Sequence, residues 1–348
     1  MRAPDVWDRK TDGVMPSLLR PLGCLVAGMN TMRRKAAAPW RAPVPVICIG
    51  NLVAGGAGKT PVAIDIVARL KARGVNAHVV SRGYGGTELG PVKVDPATHT
   101  SREVGDEPLL LARTAPTRVC KDRRKGIEAA VAAGAQIIGM DDGYQNPNIE
   151  KDLSLLVVDG GYGFGNARVM PAGPWREPVD AGLARADAVV LLGADEADVW
   201  GRVQRLGYKK LRIMRAKLEP AGNYSDLENQ KVFAFAGIGR PEKFFKTLQD
   251  IGCKLAGCRA FDDHHPYTEA EVLSILADAV DTQVITTAKD HVRLSPNQQK
   301  RVRVLDIELQ WKNTDEVDAL LAPFVAALPT NADLGDGTET NAEMSLDG

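Results

Sequence analysis

Cysteine is scarce and unpaired in this sequence. The five, Cys24, Cys48, Cys120, Cys253 and Cys258, are odd in number and form no C-x-x-C spacing. That argues against both a disulfide framework and a zinc cluster, and it fits a reducing compartment. Long apolar runs are missing too. The longest near the start, residues 22–29 (LGCLVAGM), falls far below the roughly 18 residues that would span a bilayer. Pro21 interrupts its approach, and no secretory cleavage pattern is seen. Net charge is also absent. Lys+Arg and Asp+Glu balance at 44 each, so nothing global points to a nucleic-acid binder. These absences lead us to expect a soluble, cytoplasmic chain. Its 348 residues suffice for two domains with cores of their own.

What is present is unevenly spread. Residues 1–41 carry eight Lys/Arg against three Asp, whereas the last twenty carry five acids and no base. Residues 15–35 (MPSLLRPLGCLVAGMNTMRRK) are apolar and end in Arg33, Arg34 and Lys35. Two readings stand: a helix docked on the main domain, or an interfacial segment whose bases sit among anionic headgroups. From Pro45 onward, apolar strands such as VPVICIG, AHVVSRG and QIIGMDDG alternate with helical stretches such as GKTPVAIDIVARLKARG. The alternation predicts an α/β fold with a largely parallel sheet covered by helices on both faces. A polar, turn-rich stretch, residues 215–231 (RAKLEPAGNYSDLENQK), precedes a second α/β run beginning KVFAFAGIG. We therefore expect a membrane-proximal segment over 1–40, a nucleotide-binding domain over 41–215 and a linker over 216–231. A smaller C-terminal α/β domain over 232–328 and a disordered acidic tail over 329–348 complete the division.

Residues 50–61 read GNLVAGGAGKTP. A phosphate-binding loop needs converging backbone N–H groups, small residues where the chain nears the phosphate, and a helix N-terminus behind. Gly55, Gly56 and Gly58, with Ala57 among them, supply the small residues. Lys59 can reach the β- and γ-phosphates and the Thr60 hydroxyl can hold Mg2+. The standard G-x-x-x-x-G-K-[ST] pattern is missed only at Val53. An apolar strand ending in Asp141 and Asp142 (IIGMDDGYQNP) has the form of a Walker B site, where a carboxylate meets the metal at the sheet edge. Asp106 and Glu107 in GDEP fall at a helix start, where acids are also plain caps. SRGYGG presents Tyr84 after a strand, to border a phosphate or sugar or simply to connect. PAGPWREP holds Arg176 on a rigid loop, as a cation for an anionic substrate or as a surface ion pair. FDDHHPY sets Asp263 beside His264. Asp-His-His also marks a class of phosphoesterases, but those need further aspartate motifs and carry no P-loop. A pair tuning proton transfer fits better.

In this order, GNLVAGGAGKTP, SRGYGG, GDEP, KDRRKG, DDGYQNP, PAGPWREP, FDDHHPY and TTAKDHVRL resemble the tetraacyldisaccharide 4′-kinase family, the lipid A 4′-kinases of bacteria with an outer membrane. That family's loop reads G-N-x-x-x-G-G-x-G-K-T-P, with no fixed glycine at the place of Val53. The resemblance implies a P-loop NTPase-like fold and transfer of the ATP γ-phosphate to the 4′-hydroxyl of a tetraacyldisaccharide 1-phosphate, forming lipid IVA. It places the work at the cytoplasmic face of the inner membrane, with no protein partner implied. By motif, Lys59 holds the phosphates, Thr60 and Glu107 hold Mg2+, and Asp141 and Asp142 form the acidic strand end. Asp106 is the implied base on the sugar hydroxyl, with His264 beside it and Asp263 orienting that ring. Tyr84, Arg123, Gln145 and Arg176 are implied contacts to the phosphate groups or sugar.

The chain departs from the family at Asn146, where many members have His, and at Ala57, where Ser is frequent. Trp175 and Ala288 stand where Leu and Glu are common. Two rival readings remain on the residues alone. A metallochaperone-type GTPase would use an N/T-K-x-D base-reading motif, to which TAKD at 287–290 is a near match. The other rival is a non-enzymatic, membrane-associated nucleotide-binding module.

Overall fold

The computed structural model describes Trp7 and residues 14–328, so the expected acidic tail lies outside the described residues. The first strands are β1 (Val46–Gly50), β2 (Ala77–Ser81), β3 (Val92–Lys93), β4 (Thr117–Val119), β5 (Ile137–Asp141), β6 (Leu153–Asp159), β7 (Ala188–Leu192) and β8 (Arg212–Pro220). They are followed by β9 (Lys231–Ala236), β10 (Lys254–Ala260), β11 (Gln283–Thr287), β12 (Arg303–Leu305) and β13 (Ile307–Trp311). A nine-stranded sheet runs in the order β13-β8-β7-β6-β1-β5-β2-β4-β3, parallel except at its two edge pairs. β1, β2, β5 and β7 are buried at every residue. That explains their unbroken apolar character: a parallel strand covered on both faces has no solvent side to alternate with. On one face pack Val62, Ile66 and Leu70 of helix Lys59–Ala72. The other face carries Ile127 and Ala130 of helix Arg123–Ala132.

β1 lies between β5 and β6. The chain runs from β1 toward β2 on one side and returns to β6 on the other, so the strand order reverses at β1. Such a switch point opens a crevice at the C-terminal strand ends. A second, four-stranded sheet, β10-β9-β11-β12, is parallel throughout. Helices Pro241–Asp250 and Glu269–Asp278 bury Phe244 and Leu248, and Val272 and Ile275, in its two cores.

Two boundaries differ from expectation. The stretch read as a linker is strand as far as Pro220, because β8 buries Met214 and Ala216 while Arg215 and Lys217 face solvent. Its charged residues are the outward half of an alternating strand. The segment VRVLDIEL, inside the span 232–328 given to the smaller domain, splits at Asp306. β12 completes the small sheet, whereas β13 pairs antiparallel with β8 of the large one. Helix Thr314–Ala326 then buries Val317 and Leu321 in the large domain's core. The smaller sheet thus occupies 231–305.

Helix Val14–Ala36 docks through one side. Pro16 and Gly23 are buried, and a Cβ added at Gly23 would approach the Val169 carbonyl oxygen to 2.7 Å. Asn30 Nδ2 donates to the Arg176 carbonyl at 3.0 Å. The opposite side leaves Met15, Leu18, Leu22, Leu25, Met29 and Met32 exposed, a stripe at helical spacing.

Candidate active site

The glycine-rich loop leaves the end of β1 and turns directly into helix Lys59–Ala72. Gly58 has φ +77°, which favours glycine, and a Cβ there would lie 2.4 Å from Leu192 Cδ1 and displace that side chain. Lys59 and Thr60 are buried. Lys59 Nζ lies 3.4 Å from Asn51 Oδ1 and 3.6 Å from Asp142 Oδ1. Asp142 follows β5 with φ +48°, uncommon for a non-glycine residue although Asp tolerates it, and a side-chain contact helps to hold it there. Arg176 Nη1 supplies that hold, donating to both Asp142 oxygens at 2.8 and 2.9 Å and to Gln145 Oε1 at 3.3 Å. Gln145 Nε2 donates in turn to the Asn51 carbonyl at 2.8 Å and to Glu177 Oε1 at 3.2 Å. Lys59, Asn51, Gln145, Arg176 and Asp142 therefore close a ring of polar contacts. Burial works to raise the proton affinity of Asp142, but Lys59 and Arg176 overcome it and bring the pKa down to about 2.

Asp141, at the end of β5, is buried, and its Oδ2 accepts from Ser81 Oγ at 3.2 Å. Its Oδ1 is buried without a hydrogen-bond partner. Burial first, and then the charges of Glu107 and Asp142, push its pKa up to about 7. An orphaned carboxylate oxygen amid excess negative charge suits a cation. Among the described residues no three His, Cys, Asp or Glu side chains form a ready cage. Magnesium in phosphoryl transfer needs no such cage, since it takes one or two carboxylates and completes its shell with phosphate and water.

The other wall comes from GDEP and the small domain. Asp106 and Glu107 open helix Asp106–Ala112. The glycine neighbours of this turn are packed backbone to backbone: a Cβ at Gly86 would approach Glu103 O to 2.5 Å, and one at Gly105 would approach Tyr84 O to 2.7 Å. Asp106 is buried, with Oδ1 accepting from the Glu107 N–H at 2.8 Å. Its Oδ2 meets His264 Nδ1 at 3.0 Å and Arg293 Nε at 2.7 Å, with Arg293 Nη2 on the same atom. Lys289 Nζ lies 3.2 Å from Glu107 Oε1 and 3.3 Å from His264 Nε2. A lysine ammonium only donates, so Nε2 accepts and the ring proton sits on Nδ1, facing Asp106. Burial works to raise the Asp106 pKa. The His264 hydrogen bond and the charges of Lys289 and Arg293 outweigh it and hold the carboxyl well below its ordinary value. Tyr84 stands exposed with its ring 5.4 Å from that of His264, where Asp106, His264, Tyr267 and Arg293 line one small cleft.

Residues 15–326 match the family model of the tetraacyldisaccharide-1-P 4′-kinases. The chain belongs to that family. It is 49% identical over 332 residues to the tetraacyldisaccharide 4′-kinase of Rhodospirillum centenum, covering 94% of this chain and 97% of the relative. The enzyme of the same name from Paramagnetospirillum magneticum is 50% identical over 326 residues, 93% of this chain and 98% of its own. A crystal structure of "apo" form LpxK from Aquifex aeolicus in complex with ATP shares the fold. Its TM-score is 0.73 at 25% identity, and the match covers 90% of this chain and 100% of that one. The chain is thus a kinase of lipid A synthesis, and its sheet is that of a P-loop kinase.

In this 4′-kinase the structure gathers most of the expected site residues but reassigns some of their contacts. Gln145, expected at the substrate, spends its amide on Asn51, Glu177 and Arg176 and so belongs to the frame. Arg123 is buried, with its Nη groups donating to the carbonyls of Cys120 and Asp141. It sits behind the acidic strand end. Asp263, expected to orient His264, is 3.8 Å from Nε2, beyond hydrogen-bond reach, and Asp106 makes the ring's hydrogen bond instead. Four residues of the frame escaped sequence reasoning: Asn51, Glu177, Lys289 and Arg293. Each lay inside a quoted motif; Asn51 meets Lys59 within its own loop, whereas Glu177, Lys289 and Arg293 also meet partners far along the chain. The GTPase rival loses its motif, since Asp290 is fully buried. It is saturated by Gly237 N, Tyr267 Oη, Thr287 Oγ1 and Arg293, and cannot face a base.

Proposed function

We propose that the two walls of the crevice divide the phosphoryl transfer between them. Lys59 and the N-terminus of its helix hold the ATP phosphates, where backbone N–H groups and the helix dipole favour negative charge. The ATP in the Aquifex aeolicus complex supports a nucleotide here. Thr60, Glu107 and Asp141 would hold magnesium, a reading supported by the orphaned Asp141 Oδ1. When bound, the ion neutralises charge on the β- and γ-phosphates. Asp106 and His264 act as the proton-accepting pair for the sugar hydroxyl, with Tyr84 and Arg176 placed to contact the sugar or its phosphate. Asp142 keeps Lys59 and Arg176 in place. The observation that carries this reading is the Asp106–His264 contact at 3.0 Å, which pairs an imidazole with a buried carboxylate. Purified protein with ATP-Mg2+ and a tetraacyldisaccharide 1-phosphate should yield a bisphosphorylated lipid. ATP consumption without that product would sink the assignment.

The acceptor is an acylated disaccharide, so the enzyme meets it at a lipid surface. We assign that contact to helix Val14–Ala36, peripheral to the anionic cytoplasmic face of the inner membrane. The exposed stripe of Met15, Leu18, Leu22, Leu25, Met29 and Met32, with Arg33 and Lys35 exposed at its end, supports it. Among the described residues no helix is long and apolar enough to cross a membrane.

A further inference from the structure

The three bases that end the surface helix do not share one environment. Arg33 and Lys35 are exposed, whereas the Arg34 side chain is only 18% exposed and points its charge at a carboxylate inside the protein. We propose that Arg34 is a positioning residue for the kinase, tying the surface helix to the ring that holds Lys59. The proposal rests on the kinase-site reading given above.

The chain of contacts is continuous. Arg34 Nη1 donates to Glu177 Oε2 at 2.8 Å. The Glu177 side chain is fully buried, and its other contacts are Arg185 Nη2 at 2.8 and 2.9 Å and Gln145 Nε2 at 3.2 Å. Glu177, with the Asn51 carbonyl, sets which way the Gln145 amide faces. With Nε2 turned to Glu177 and to the Asn51 carbonyl, Oε1 is the atom left to receive Arg176. Arg176 then fixes Asp142, and Asp142 flanks Lys59. A second tie runs beside the first, from Asn30 Nδ2 to the Arg176 backbone carbonyl at 3.0 Å. The helix thus grips Arg176 twice, through its main chain and through the partner of its guanidinium.

Losing Arg34 does not strand a buried charge, because Arg185 still pairs with Glu177. The fold survives and what is lost is a constraint on the ring. A residue that merely stapled the helix would change stability and leave turnover alone. A residue that served the lipid surface would change binding to vesicles. A positioning residue lowers kcat and spares both ATP affinity and vesicle binding.

The test uses the full chain in detergent mixed micelles carrying the lipid acceptor, with co-sedimentation on phosphatidylglycerol vesicles run in parallel. Arg34→Gln should lower kcat about tenfold, within the range that small misplacements of reacting groups cause. The KM for ATP and the vesicle-bound fraction should stay near wild type. Arg34→Lys should recover part of the loss, since it keeps the charge but not the planar fork. Asn30→Ala should lower kcat in the same direction, and it reports on the helix grip even where Arg34→Gln folds poorly. Wild-type turnover in both Arg34→Gln and Asn30→Ala would overturn the proposal. So would a fall in kcat that vanishes once vesicle or micelle binding is saturated. If wild-type protein itself fails to phosphorylate the lipid, the kinase-site reading fails first and separately.

Discussion

Arg293 and His264 share one oxygen of Asp106. The guanidinium Nε is 2.7 Å and the imidazole Nδ1 3.0 Å from Oδ2, and both come from the small domain to an acid of the large one. A carboxylate held by two such donors has little appetite for a proton. The proton capacity of Asp106 is therefore coupled to where Arg293 sits, and so to how the two domains meet.

Removing the Arg293 charge should restore that appetite. Because the cation depresses the Asp106 pKa, Arg293→Gln raises it, and as pH falls a base that must be ionised is then protonated sooner. The acid limb of the kcat/KM profile should move up by about one pH unit or more, the scale expected for an opposite charge at contact range. An acid limb that stays put would show that Asp106 does not govern it.

The Asp106–His264 pair makes a second, independent prediction. Asp106→Asn should lower kcat strongly while sparing ATP affinity, since the amide matches the carboxylate in size but does not accept the proton. His264→Ala should act on the same step. In single-turnover phosphorylation the double variant should lose far less than the product of the two single losses. Fully multiplicative losses would mean that the two groups work separately.

Lys59→Ala should remove nearly all kinase activity, by about 100-fold or more, as when a preorganised charge is taken from a transition state. The protein should remain folded, because Asp142 keeps its Arg176 pair. A folded variant turning over near the wild-type rate at saturating ATP would overturn the P-loop assignment.

Peripheral attachment is read most directly on vesicles. Neutralising Arg33 and Lys35 together should weaken co-sedimentation with anionic vesicles, at about 1 kcal/mol per base near the surface. Added salt should erase the difference between variant and wild type. Identical binding by both proteins at low and high salt would show that these two bases make no contact with the anionic surface.

The parts of the fold visible in the sequence are those set by local chemistry. β1 and β5 are unbroken apolar runs ending in glycine-rich or acidic turns, so strand, loop and helix could be read in place. The crossing at Asp306 could not, because Val304 and Leu305 on one side and Ile307 and Leu309 on the other carry the same strand pattern. Only partner sheets tell them apart. The site followed the same rule. Lys59, Asp106 and Asp142 stand in short motifs whose chemistry is self-evident. Glu177, Lys289 and Arg293 act through partners on distant segments, and a lone Glu, Lys or Arg gives no local sign of that.

Asp306 has one more consequence. β8 ends at Pro220 and β13 begins at Ile307, and these two residues are paired opposite each other. The whole four-stranded unit is therefore spliced into the turn of a β-hairpin, leaving and re-entering the parent sheet at adjacent points. Replacing 221–306 with a two-residue Asn-Gly turn would close that hairpin in a standard geometry. The product would keep Lys59, Asp106, Glu107 and Asp141 and lose His264, Lys289 and Arg293, yielding a chain with one wall of the crevice and only the large-domain part of the other.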